Sequence, residues 1–557
     1  MPIYRAHVLV STDPESQLRG AGHVLQRLRE ELARRELVNE IMVVETGEPG
    51  TGVRLPVVSV YPDGVVYEGV TADAATLIVE EHLYKGRVVR NLLASAKPLT
   101  GNIIRLPKTA KHLAAQQKIV LKNCGEINPE SIEDYIAVDG YMALGKVLTE
   151  LTPRQTLDEI KASGLRGRGG AGFPTGRKME FSVAVNADQK YVVCNADESE
   201  PGTFKDRLII EGDPHKLLEG MAIAAYCIGA TQGYIYIRGE YTLAYSRLLK
   251  AIDQARELGL LGKNILSSGF DFDVFVHSGA GAYVCGEETA LLNSLEGERG
   301  EPRKRPPYPP TAGLHQKPTL VNNVETLANL PPIILNGANW FKQFGTENST
   351  GTKVYTILGN INNTGLIEVP MGITLREVVE FYGGGMEDGA RFKLAQTGGS
   401  SGSIIPAELL DVPMDFASMN KYGLSLGSGA LLICDERTCV VDLIKVLLNF
   451  FKVESCGKCV PCRIGTRQLY DTFVRISGGT GTMSDLEKAL ALGDQMVKAC
   501  FCGLGQTAPA PIVTGLRYFR AEIEAHIKDH YCETNVCEFE LLKKKKKPQF
   551  TPLRKAA

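Results

Sequence analysis

The chain has 557 residues, of which 44% are hydrophobic and 23% charged, and this length suggests three or four domains. A formal net charge of -2 gives no electrostatic reason to expect nucleic acid or an anionic membrane as a partner. The N-terminal MPIYRAHVLV lacks a basic segment followed by an apolar one, and no run approaches the roughly eighteen apolar residues of a membrane span. We therefore expect a cytoplasmic protein without a span, whose thirteen cysteines are reduced or bound to metal.

The first predicted unit covers residues 1–96 and alternates strands with helices. HVLV is predicted as a strand, Gly22 to Leu37 as an amphipathic helix and EIMVV as a second strand. A hairpin with its turn at Pro62-Asp63-Gly64 and a final helix through ATLIVEEHLYKG complete an α/β unit of thioredoxin-like order.

This unit resembles the thioredoxin-like [2Fe-2S] ferredoxin domain, in which cysteine pairs bind the cluster. Alignment to that pattern puts the four ligand positions at Ser11, Ser16, Glu48 and Gly52. Because iron-sulfur clusters need thiolates or, less often, imidazoles, we predict a domain that kept the fold and lost the cluster. An unrelated small α/β domain is the alternative.

Residues 97–150 are predicted as a helical connector that docks on the following domain, a Rossmann-like unit over residues 151–340. This unit contains the glycine-rich segment GLRGRGGAGFPTGRK, whose backbone can approach a ligand closely and direct N–H groups at phosphate. It is not a Walker motif, because Ala171 occupies the first glycine position and Arg177 replaces the lysine. The loop alone fits both a nucleotide site and a plain flexible loop.

Two acidic segments of the same domain favour a nucleotide site. They are NADESEPGTFKDR, from Asn195, and GAGAYVCGEETALLNSLEG, from Gly279. Carboxylates repel phosphate, but they accept hydrogen bonds from ribose hydroxyls, ribityl chains and the nicotinamide amide. The combination predicts a site for a flavin and a dinucleotide together.

With RPPYPP and PTLVNNVETL, these segments resemble the NADH-oxidising flavoprotein subunit of respiratory complex I. Its relatives occur in NAD-linked hydrogenases, including electron-bifurcating ones, in formate dehydrogenases and in benzoyl-CoA reductase complexes. The similarity runs from about Leu151 to Phe539, and the N-terminal extension matches the hydrogenase-type members. The resemblance implies that FMN is held by Gly167, Arg168, Gly169, Lys178, Asn195, Asp197, Glu198, Ser199, Tyr283, Gly286, Glu287, Asn322, Asn323 and Thr326.

The same resemblance implies an NADH site and an NADH dehydrogenase activity. NADH would stack near Phe173 and Phe181, with Glu200, Glu288 and Lys205 close to it. The nicotinamide would pass a hydride to flavin N5 while the protein supplies orientation and excludes water, so we expect no catalytic side chain. The carboxylate of Glu200 predicts a preference for NADH over NADPH.

Residues 341–425 are predicted to contain a strand pair and a helix that starts near Thr374, and the resemblance implies a β-grasp, ubiquitin-like domain here. Residues 426–541 are predicted as a helical domain. One helix runs through VVDLIKVLLNFFKVES, and the next, SDLEKALALGDQMVKAC, is predicted to open with a capping box of Ser484 and Glu487.

Three cysteines in this helical domain follow a C-x2-C-x2-C pattern: Cys456, Cys459 and Cys462. The spacing suits three ligands of a [4Fe-4S] cluster, whose fourth ligand is often distant. Cys500 and Cys502 are both candidates, and the family ligand precedes GLG, which implies Cys502. Zinc is the alternative occupant, although zinc sites favour two separated C-x2-C pairs.

A second metal site is predicted from His526, Cys532 and Cys537, with Cys439 as the fourth ligand. Histidine and cysteine at these distances, without an iron-sulfur pattern, indicate tetrahedral zinc, and some hydrogenase-type relatives carry such a site. Scattered buried cysteines are the alternative, and His530 could replace His526. The basic tail over 542–557, with Lys543 to Lys547, is a solvated tail or a partner-binding arm.

These predictions combine into one function. The chain would exchange electrons between NADH and an iron-sulfur chain through FMN, with one [4Fe-4S] cluster of its own. Electrons would leave through partners, namely a thioredoxin-like [2Fe-2S] subunit and a further iron-sulfur or catalytic subunit of hydrogenase, formate dehydrogenase or benzoyl-CoA reductase type. A degenerate scaffold without redox activity is the alternative, and the failed Walker spacing disfavours a phosphate-cleaving enzyme.

Overall fold

The computed structural model describes residues 4–12, 14–46, 54–61, 63–94 and 116–539. Strands in this part form two five-stranded sheets, one four-stranded sheet and one two-stranded sheet. The strands are β1 (Ala6–Ser11), β2 (Ile41–Thr46), β3 (Val57–Tyr61), β4 (Val65–Glu68), β5 (Tyr191–Ala196), β6 (Gln232–Arg238), β7 (Gly262–Ile265), β8 (Phe270–Gly279), β9 (Thr319–Asn323), β10 (Gly345–Thr346), β11 (Ser349–Thr350), β12 (Thr352–Gly359), β13 (Gly365–Pro370), β14 (Phe392–Thr397), β15 (Ile404–Pro406) and β16 (Ala430–Asp435).

Helices cover these sheets and dominate the C-terminal region. The α-helices are Pro14–Leu18, Ala21–Arg34, Ala72–Leu77, Ile132–Ala137, Met142–Glu150, Pro153–Ala162, Thr175–Val183, Lys205–Gly212, Pro214–Ile228, Thr242–Glu257, Glu288–Leu295, Val324–Ala328, Leu330–Asn336, Ala338–Phe341, Leu375–Glu377, Phe416–Lys421, Val440–Glu454, Val460–Ser477, Met483–Ala499, Gly503–Thr507 and Ala510–Lys528. Two of them continue as π-helices, over Ile78–Tyr84 and Val378–Tyr382. Among the described residues, no helix has the length and apolar character that a membrane crossing requires.

The N-terminal sheet has the order β2-β1-β3-β4, with β1 parallel to β2 and antiparallel to β3. Helix Ala21–Arg34 connects the parallel pair and buries Val24, Leu28 and Leu32, which recur every four residues on one face. The predicted strands, hairpin and helices of this unit are therefore present.

Two of the four predicted ligand positions of the lost cluster are described. Ser11 and Ser16 are buried, and their hydroxyl oxygens are 3.0 Å apart in a hydrogen bond. The N–H of Val57 also donates to Ser11 Oγ at 2.8 Å. Both hydroxyls thus form hydrogen bonds within the protein. The other two predicted positions, Glu48 and Gly52, lie outside the described residues.

The second sheet has the order β7-β8-β6-β5-β9, and its strands β5, β6, β8 and β9 are parallel. β5 lies between β6 and β9. The next strand along the chain, β6, pairs with one edge of β5, and the later strand β9 pairs with its other edge. Ligands of such sheets bind outside the carboxyl ends of the strands at this switch point. Helix Pro214–Ile228, buried on nearly every side, belongs to the main hydrophobic core with this sheet.

The described part of the connector before this domain bonds to two other parts of the chain. The backbone N–H groups of Val120 and Leu121 donate to the Glu368 carboxylate on β13 at 2.9 and 2.8 Å. Lys216 donates from Nζ to the carbonyl of Val120 at 2.9 Å. The connector therefore joins the second sheet's domain to the third sheet.

The third sheet has the order β13-β12-β16-β14-β15. The predicted strand pair is β12 and β13, and Thr374 caps the following helix in a capping box with Glu377. The predicted boundary at residue 425 is wrong for this sheet, because β16 lies in its centre, parallel to β12 and antiparallel to β14. The apolar run of β16 supplies the buried central strand that the sheet needs to close.

The C-terminal helices carry the metal-binding candidates at their ends. Helix Met483–Ala499 begins earlier than predicted, and its capping box pairs Thr482 with Asp485. The predicted box of Ser484 and Glu487 is wrong, because Thr482 already satisfies the N–H of Asp485 at 3.1 Å and the helix has started before Ser484.

Candidate flavin and metal sites

The predicted flavin segments meet at the carboxyl ends of β5 and β9. Asn195 donates from Nδ2 to the carbonyl of Gly286 at 2.8 Å, which joins the acidic loop after β5 to the loop before helix Glu288–Leu295. The backbone N–H of Arg168 donates to Thr326 Oγ1 at 2.8 Å and joins the glycine-rich loop to the helix after β9. These segments are therefore neighbours at the switch point of the second sheet, and we call the region that they border the flavin cleft.

The glycine-rich loop fits closely against the end of β9. The N–H of Gly167 donates to the carbonyl of Phe173 at 2.8 Å, so the loop closes on itself. A Cβ at Gly169 would lie 3.1 Å from the Asn323 side chain. A side chain at Gly169 would therefore require the loop or the Asn323 side chain to shift by a few tenths of an ångström.

Three buried polar atoms of the predicted flavin residues have no hydrogen-bond partner among the described residues: Oδ2 of Asp197, Nδ2 of Asn322 and Oε1 of Glu287. Oε1 of Glu287 still forms an ion pair with Arg305, which leaves the atoms of Asp197 and Asn322. Asp197 accepts from the Ser199 hydroxyl through Oδ1 at 3.0 Å, and burial raises its pKa to about 7. An unpaired buried polar atom costs about 1–3 kcal/mol, so this pair fits a ligand that offers one donor and one acceptor, as a flavin ring does.

Other predicted flavin carboxylates cap helices. Glu198 accepts from the N–H groups of Asp206 and Arg207 at 2.9 and 3.0 Å, at the start of helix Lys205–Gly212. Glu287 accepts in the same way from Thr289 and Ala290. Carboxylates at these positions complement the positive ends of the helices. Both residues therefore fix the cleft walls through backbone contacts.

Arg168 and Lys205 are buried, and their side chains point into the protein. The Arg168 guanidinium donates to the carbonyls of Thr350 and Thr352 at 2.7 and 3.0 Å. The Lys205 ammonium pairs with Asp206 at 2.7 Å and with Glu325 at 2.9 Å, and its side chain is 1% exposed. Two buried carboxylates therefore hold the Lys205 charge below the protein surface, and its place close to NADH stays a prediction.

Aromatic rings lie exposed at the cleft. Phe173 and Phe181 are 44% and 45% exposed, and their ring centroids are 6.4 Å apart. Exposed aromatic rings this close offer a stacking surface for a planar base.

Arg305 and Tyr308 are cleft residues that the sequence did not single out. The Arg305 guanidinium pairs with Glu287 at 3.1 Å and Glu288 at 3.3 Å, and it lies 5.9 Å from the Tyr308 ring. Glu288 also pairs with Lys178 at 2.9 Å. Both residues belong to the segment RPPYPP, which carries part of the resemblance, and its cation and aromatic residue were the available signal.

Glu200 is held by the protein through both of its carboxylate oxygens. Oε1 accepts from the Ser401 N–H at 2.9 Å, and Oε2 accepts from the Tyr283 hydroxyl at 2.7 Å. Burial raises the pKa of Glu200. The carboxylate thus links the acidic loop to the third sheet as well as bordering the cleft.

Five cysteines come together at the ends of the C-terminal helices. Cys459 directly precedes helix Val460–Ser477, and Cys462 lies in its first turn. Cys500 follows one helix and Cys502 precedes the next, and both are buried. The Cys500 thiol contacts the thiol of Cys462, so Cys500, which is not predicted to be a ligand, also lies beside the predicted ligands.

The segment that holds Cys456 and Cys459, here called the cysteine loop, is hydrogen-bonded directly to the flavin cleft. The Tyr283 N–H donates to the Glu454 carboxylate at 3.1 Å, two residues before Cys456. The Tyr283 ring also packs on Phe450 with centroids 4.9 Å apart. From the other side, Lys458 donates to the carbonyl of Pro302 at 2.8 Å. The two candidate sites are therefore neighbours held by shared residues.

The predicted zinc residues converge on one point. One ligand atom from each of Cys439, His526, Cys532 and Cys537 lies within 4.8 Å of all the others. The thiols of Cys439 and Cys537 are 3.6 Å apart, close to the spacing of about 3.8 Å that tetrahedral Zn–S bonds of about 2.3 Å require. His526 bonds through Nδ1 to the carbonyl of Glu522 at 2.8 Å, which leaves Nε2 toward the thiols. The geometry favours His526 over His530, which is outside this group.

Three family models match separate parts of the chain. The Nuo51 FMN-binding domain matches residues 160–332, the SLBB domain matches 354–405, and the NADH-ubiquinone oxidoreductase-F iron-sulfur binding region matches 442–526. The first contains the cleft and the third contains the clustered cysteines.

Curated relatives and a solved structure cover most of the chain. The NADP-reducing hydrogenase subunit HndC of Solidesulfovibrio fructosivorans is 54% identical over 76% of this chain and 86% of its own length. The F subunit of NADH-quinone oxidoreductase of Escherichia coli strain K12 is 43% identical over 78% of this chain and 97% of its own. The crystal structure of an NAD+-reducing [NiFe]-hydrogenase in the H2-reduced state aligns with a TM-score of 0.66 and 30% identity, covering 95% of this chain and 85% of that one.

Proposed function

The chain belongs to the family that includes the F subunit of NADH-quinone oxidoreductase, and from that premise we propose that it is a flavoprotein subunit that exchanges electrons between NADH and an iron-sulfur chain. The observation that carries the proposal is the direct bond between the cleft and the cysteine loop, from Tyr283 to Glu454. A degenerate scaffold would have no need to keep the cleft, the cysteines and the contact between them.

FMN is the ligand that the cleft fits. Asp197 and Asn322 would accept and donate hydrogen bonds at the flavin ring, since each has a buried atom without a partner among the described residues. Asn195, Ser199, Asn323 and Thr326 would complete the cradle around the glycine-rich loop. Bound FMN would supply the exchange between a hydride and single electrons. The protein's part is to bind, orient and exclude water.

NADH would enter along the exposed aromatic rings. Phe173 and Phe181 offer a stacking surface, and Tyr308 lies beside Arg305 on the cleft edge. Lys178, Glu288 and Arg305 form a chain of ion pairs across the entrance, which would meet the polar parts of the dinucleotide. Lys205, whose charge is paired with Asp206 and Glu325, takes no part in this chain of ion pairs.

The [4Fe-4S] cluster would be held by Cys456, Cys459, Cys462 and Cys502. The match of the iron-sulfur binding region to residues 442–526 supports this set. Cys500, which contacts Cys462, would be a neighbour of the cluster and not a ligand. The backbone N–H groups of Leu504 and Gly505, at the start of helix Gly503–Thr507, hydrogen-bond to the Cys502 sulfur, and this supports its role because such donors stabilise a thiolate.

The zinc site would be structural. Four protein ligands close a tetrahedron and leave no place for substrate. Cys439 begins the helix that leads to the cluster loop, whereas Cys532 and Cys537 follow helix Ala510–Lys528. Zinc would therefore fasten the segment after that helix to the start of the cluster region and contribute folding energy there.

Partner subunits would take the electrons onward. HndC is by name a hydrogenase subunit, and the E. coli relative is by name a subunit of NADH-quinone oxidoreductase. Val453, Val460 and Phe501, which flank the cluster cysteines, are 67%, 57% and 49% exposed, as expected for side chains that a partner covers. We propose an iron-sulfur partner there, with a thioredoxin-like [2Fe-2S] subunit and a hydrogenase-type subunit as the first candidates.

We propose domain boundaries that keep the predicted ones except at the end of the third sheet. They are an N-terminal thioredoxin-like domain to residue 96, a connector to 150, a flavin domain to 340, a β-grasp domain that extends to 435, and a helical metal-binding domain beyond it.

The proposal is tested by metal, flavin and activity measurements on anaerobically purified protein. We expect one FMN and four irons per chain, with NADH-dependent reduction of ferricyanide. Protein that binds neither flavin nor iron under these conditions would favour the scaffold.

A further inference from the structure

One carboxylate of the N-terminal domain hydrogen-bonds to two residues of the flavin domain. Glu40, just before β2, accepts from Arg5 Nε at 2.9 Å within its own domain. It also accepts from Arg207 at 2.8 Å and from the Thr242 hydroxyl at 2.7 Å, and both of these residues belong to the flavin domain. The side chains of Glu40 and Arg207 are only 13% and 14% exposed, so this ion pair is partly shielded from solvent.

Arg207 connects this contact to the flavin cleft. Its backbone N–H donates to the Glu198 carboxylate at 3.0 Å, while its guanidinium bonds to Glu40. The guanidinium also lies 5.1 Å from the ring of Tyr241, whose hydroxyl donates to the Glu198 carbonyl at 3.3 Å. One residue therefore bonds to the N-terminal domain with its side chain and to a cleft residue with its backbone.

The interface around this pair is continuous. Leu243, on the flavin-domain helix Thr242–Glu257, is buried in the hydrophobic core of the N-terminal domain. Arg247, one turn further along, lies 5.0 Å from the ring of Tyr84. The N-terminal domain is thus packed on the helix that carries the Glu40 contact, and the contact is not an isolated surface pair.

We propose that the N-terminal domain, without cluster ligands at its two described ligand positions, serves to position the flavin site, and that Glu40 is the positioning residue. Glu40 fixes the Arg207 side chain, Arg207 fixes the first turn of helix Lys205–Gly212, and that turn fixes Glu198. This inference deepens the proposed function and rests on FMN binding in the cleft.

The test compares FMN release from wild-type protein, Glu40→Gln and the control Glu45→Gln. Glu45 lies on β2 of the same domain and pairs with Arg29 at 3.1 Å, but this pair is exposed and does not reach the flavin domain. We expect Glu40→Gln to release FMN at least about threefold faster. Substitution of a residue that couples two sites changes that coupling by roughly this factor or more. Glu45→Gln should release FMN at the wild-type rate.

The NADH-ferricyanide kcat at saturating FMN distinguishes a positioning role of Glu40 from a purely structural one. If Glu40 acts by positioning, saturating FMN restores the NADH-ferricyanide kcat of Glu40→Gln to the wild-type value. A lower kcat that added FMN does not restore, or release at the wild-type rate, overturns the proposal. Wild-type protein that binds no FMN would instead contradict the proposed function itself.

Hydrogen exchange gives a second test that does not depend on the folding of a variant. Because coupling between two sites is reciprocal, FMN should slow amide exchange at residues 37–41 of the wild-type protein. Exchange at these residues that is the same with and without FMN would overturn the proposal.

Discussion

The N–H of Tyr283 donates a hydrogen bond of 3.1 Å to the carboxylate of Glu454. Tyr283 belongs to the loop that walls the flavin cleft, and Glu454 ends the helix before the cluster cysteines. The contact places the proposed entry point of electrons beside the proposed first carrier. It joins the flavin domain to the helical domain, although the third sheet separates them in sequence.

The exposed ring of Phe173 should contribute to NADH binding. We expect Phe173→Ala to raise KM for NADH about two- to tenfold with a smaller change in kcat, since an aromatic contact is worth about 0.5–1.5 kcal/mol. Steady-state kinetics with ferricyanide measures both constants. Phe381→Ala is the control, because Phe381 is 48% exposed but belongs to the third sheet's domain. Equal KM values for Phe173→Ala and the control would contradict the stacking role.

Asp197 should make the apo protein less stable as pH rises. Burial raises the pKa of Asp197 from 3.8 to about 7, so between these values the folded state keeps a proton that the unfolded state releases. Across this pH window the free energy of unfolding falls by on the order of a few kcal/mol. Asp197→Asn removes the titrating group, so its melting temperature relative to wild type should increase from about pH 4.5 to about pH 7. A difference that does not change with pH would contradict the buried carboxyl.

Cys502 and Cys500 should respond differently to substitution. Cys502→Ser should abolish or convert the electron paramagnetic resonance signal of the reduced cluster, because a cubane needs its fourth thiolate. Cys500→Ser should retain the signal and four irons per chain. Loss of the cluster in Cys500→Ser with retention in Cys502→Ser would reverse the assignment.

The zinc site should be separable from the cluster. We expect one zinc per chain, lost in the double variant Cys532→Ser with Cys537→Ser while the iron content is unchanged. The melting temperature of this variant should fall, because bound zinc contributes to folding. Cys124→Ser is the control, since Cys124 is a free cysteine outside the group. Zinc-free wild-type protein with full iron would contradict the site.

Glu200 should favour NADH over NADPH. A carboxylate at the cleft border repels the extra 2′-phosphate by on the order of a few kcal/mol. Glu200→Gln should therefore improve kcat/KM for NADPH relative to NADH. The bonds of Glu200 to Ser401 and Tyr283 make the variant's thermal stability a necessary control. Equal kcat/KM for the two dinucleotides in the wild type would contradict the prediction, and the NADP-reducing name of one relative makes this comparison informative.

Local patterns predicted the parts of the site that depend on short-range spacing. Cys456, Cys459 and Cys462 follow one another at steps of three residues, and they do lie where one helix ends and the next begins. The group of Cys439 with His526, Cys532 and Cys537 was also predicted, because ligand chemistry limits the combinations.

Long-range contacts decided the features that the sequence did not reveal. The sequence alone places Lys205 in the cleft, but Glu325, which is distant in sequence, pairs with the Lys205 ammonium in the interior. The position of β16 in the centre of the third sheet depends on pairing with β12 and β14 and carries no local signal of its register. The approach of Cys500 to Cys462 likewise depends on how the helices pack.

The most direct test of electron transfer from NADH through flavin to the cysteine cluster is an anaerobic NADH titration of the purified protein. Optical spectroscopy would follow the flavin and electron paramagnetic resonance would follow the cluster. We predict that NADH bleaches the flavin and produces the signal of a reduced [4Fe-4S] cluster, whereas Cys456→Ser keeps the bleaching and loses the signal. Flavin that NADH does not bleach, or a cluster signal that is unchanged in Cys456→Ser, would contradict the account.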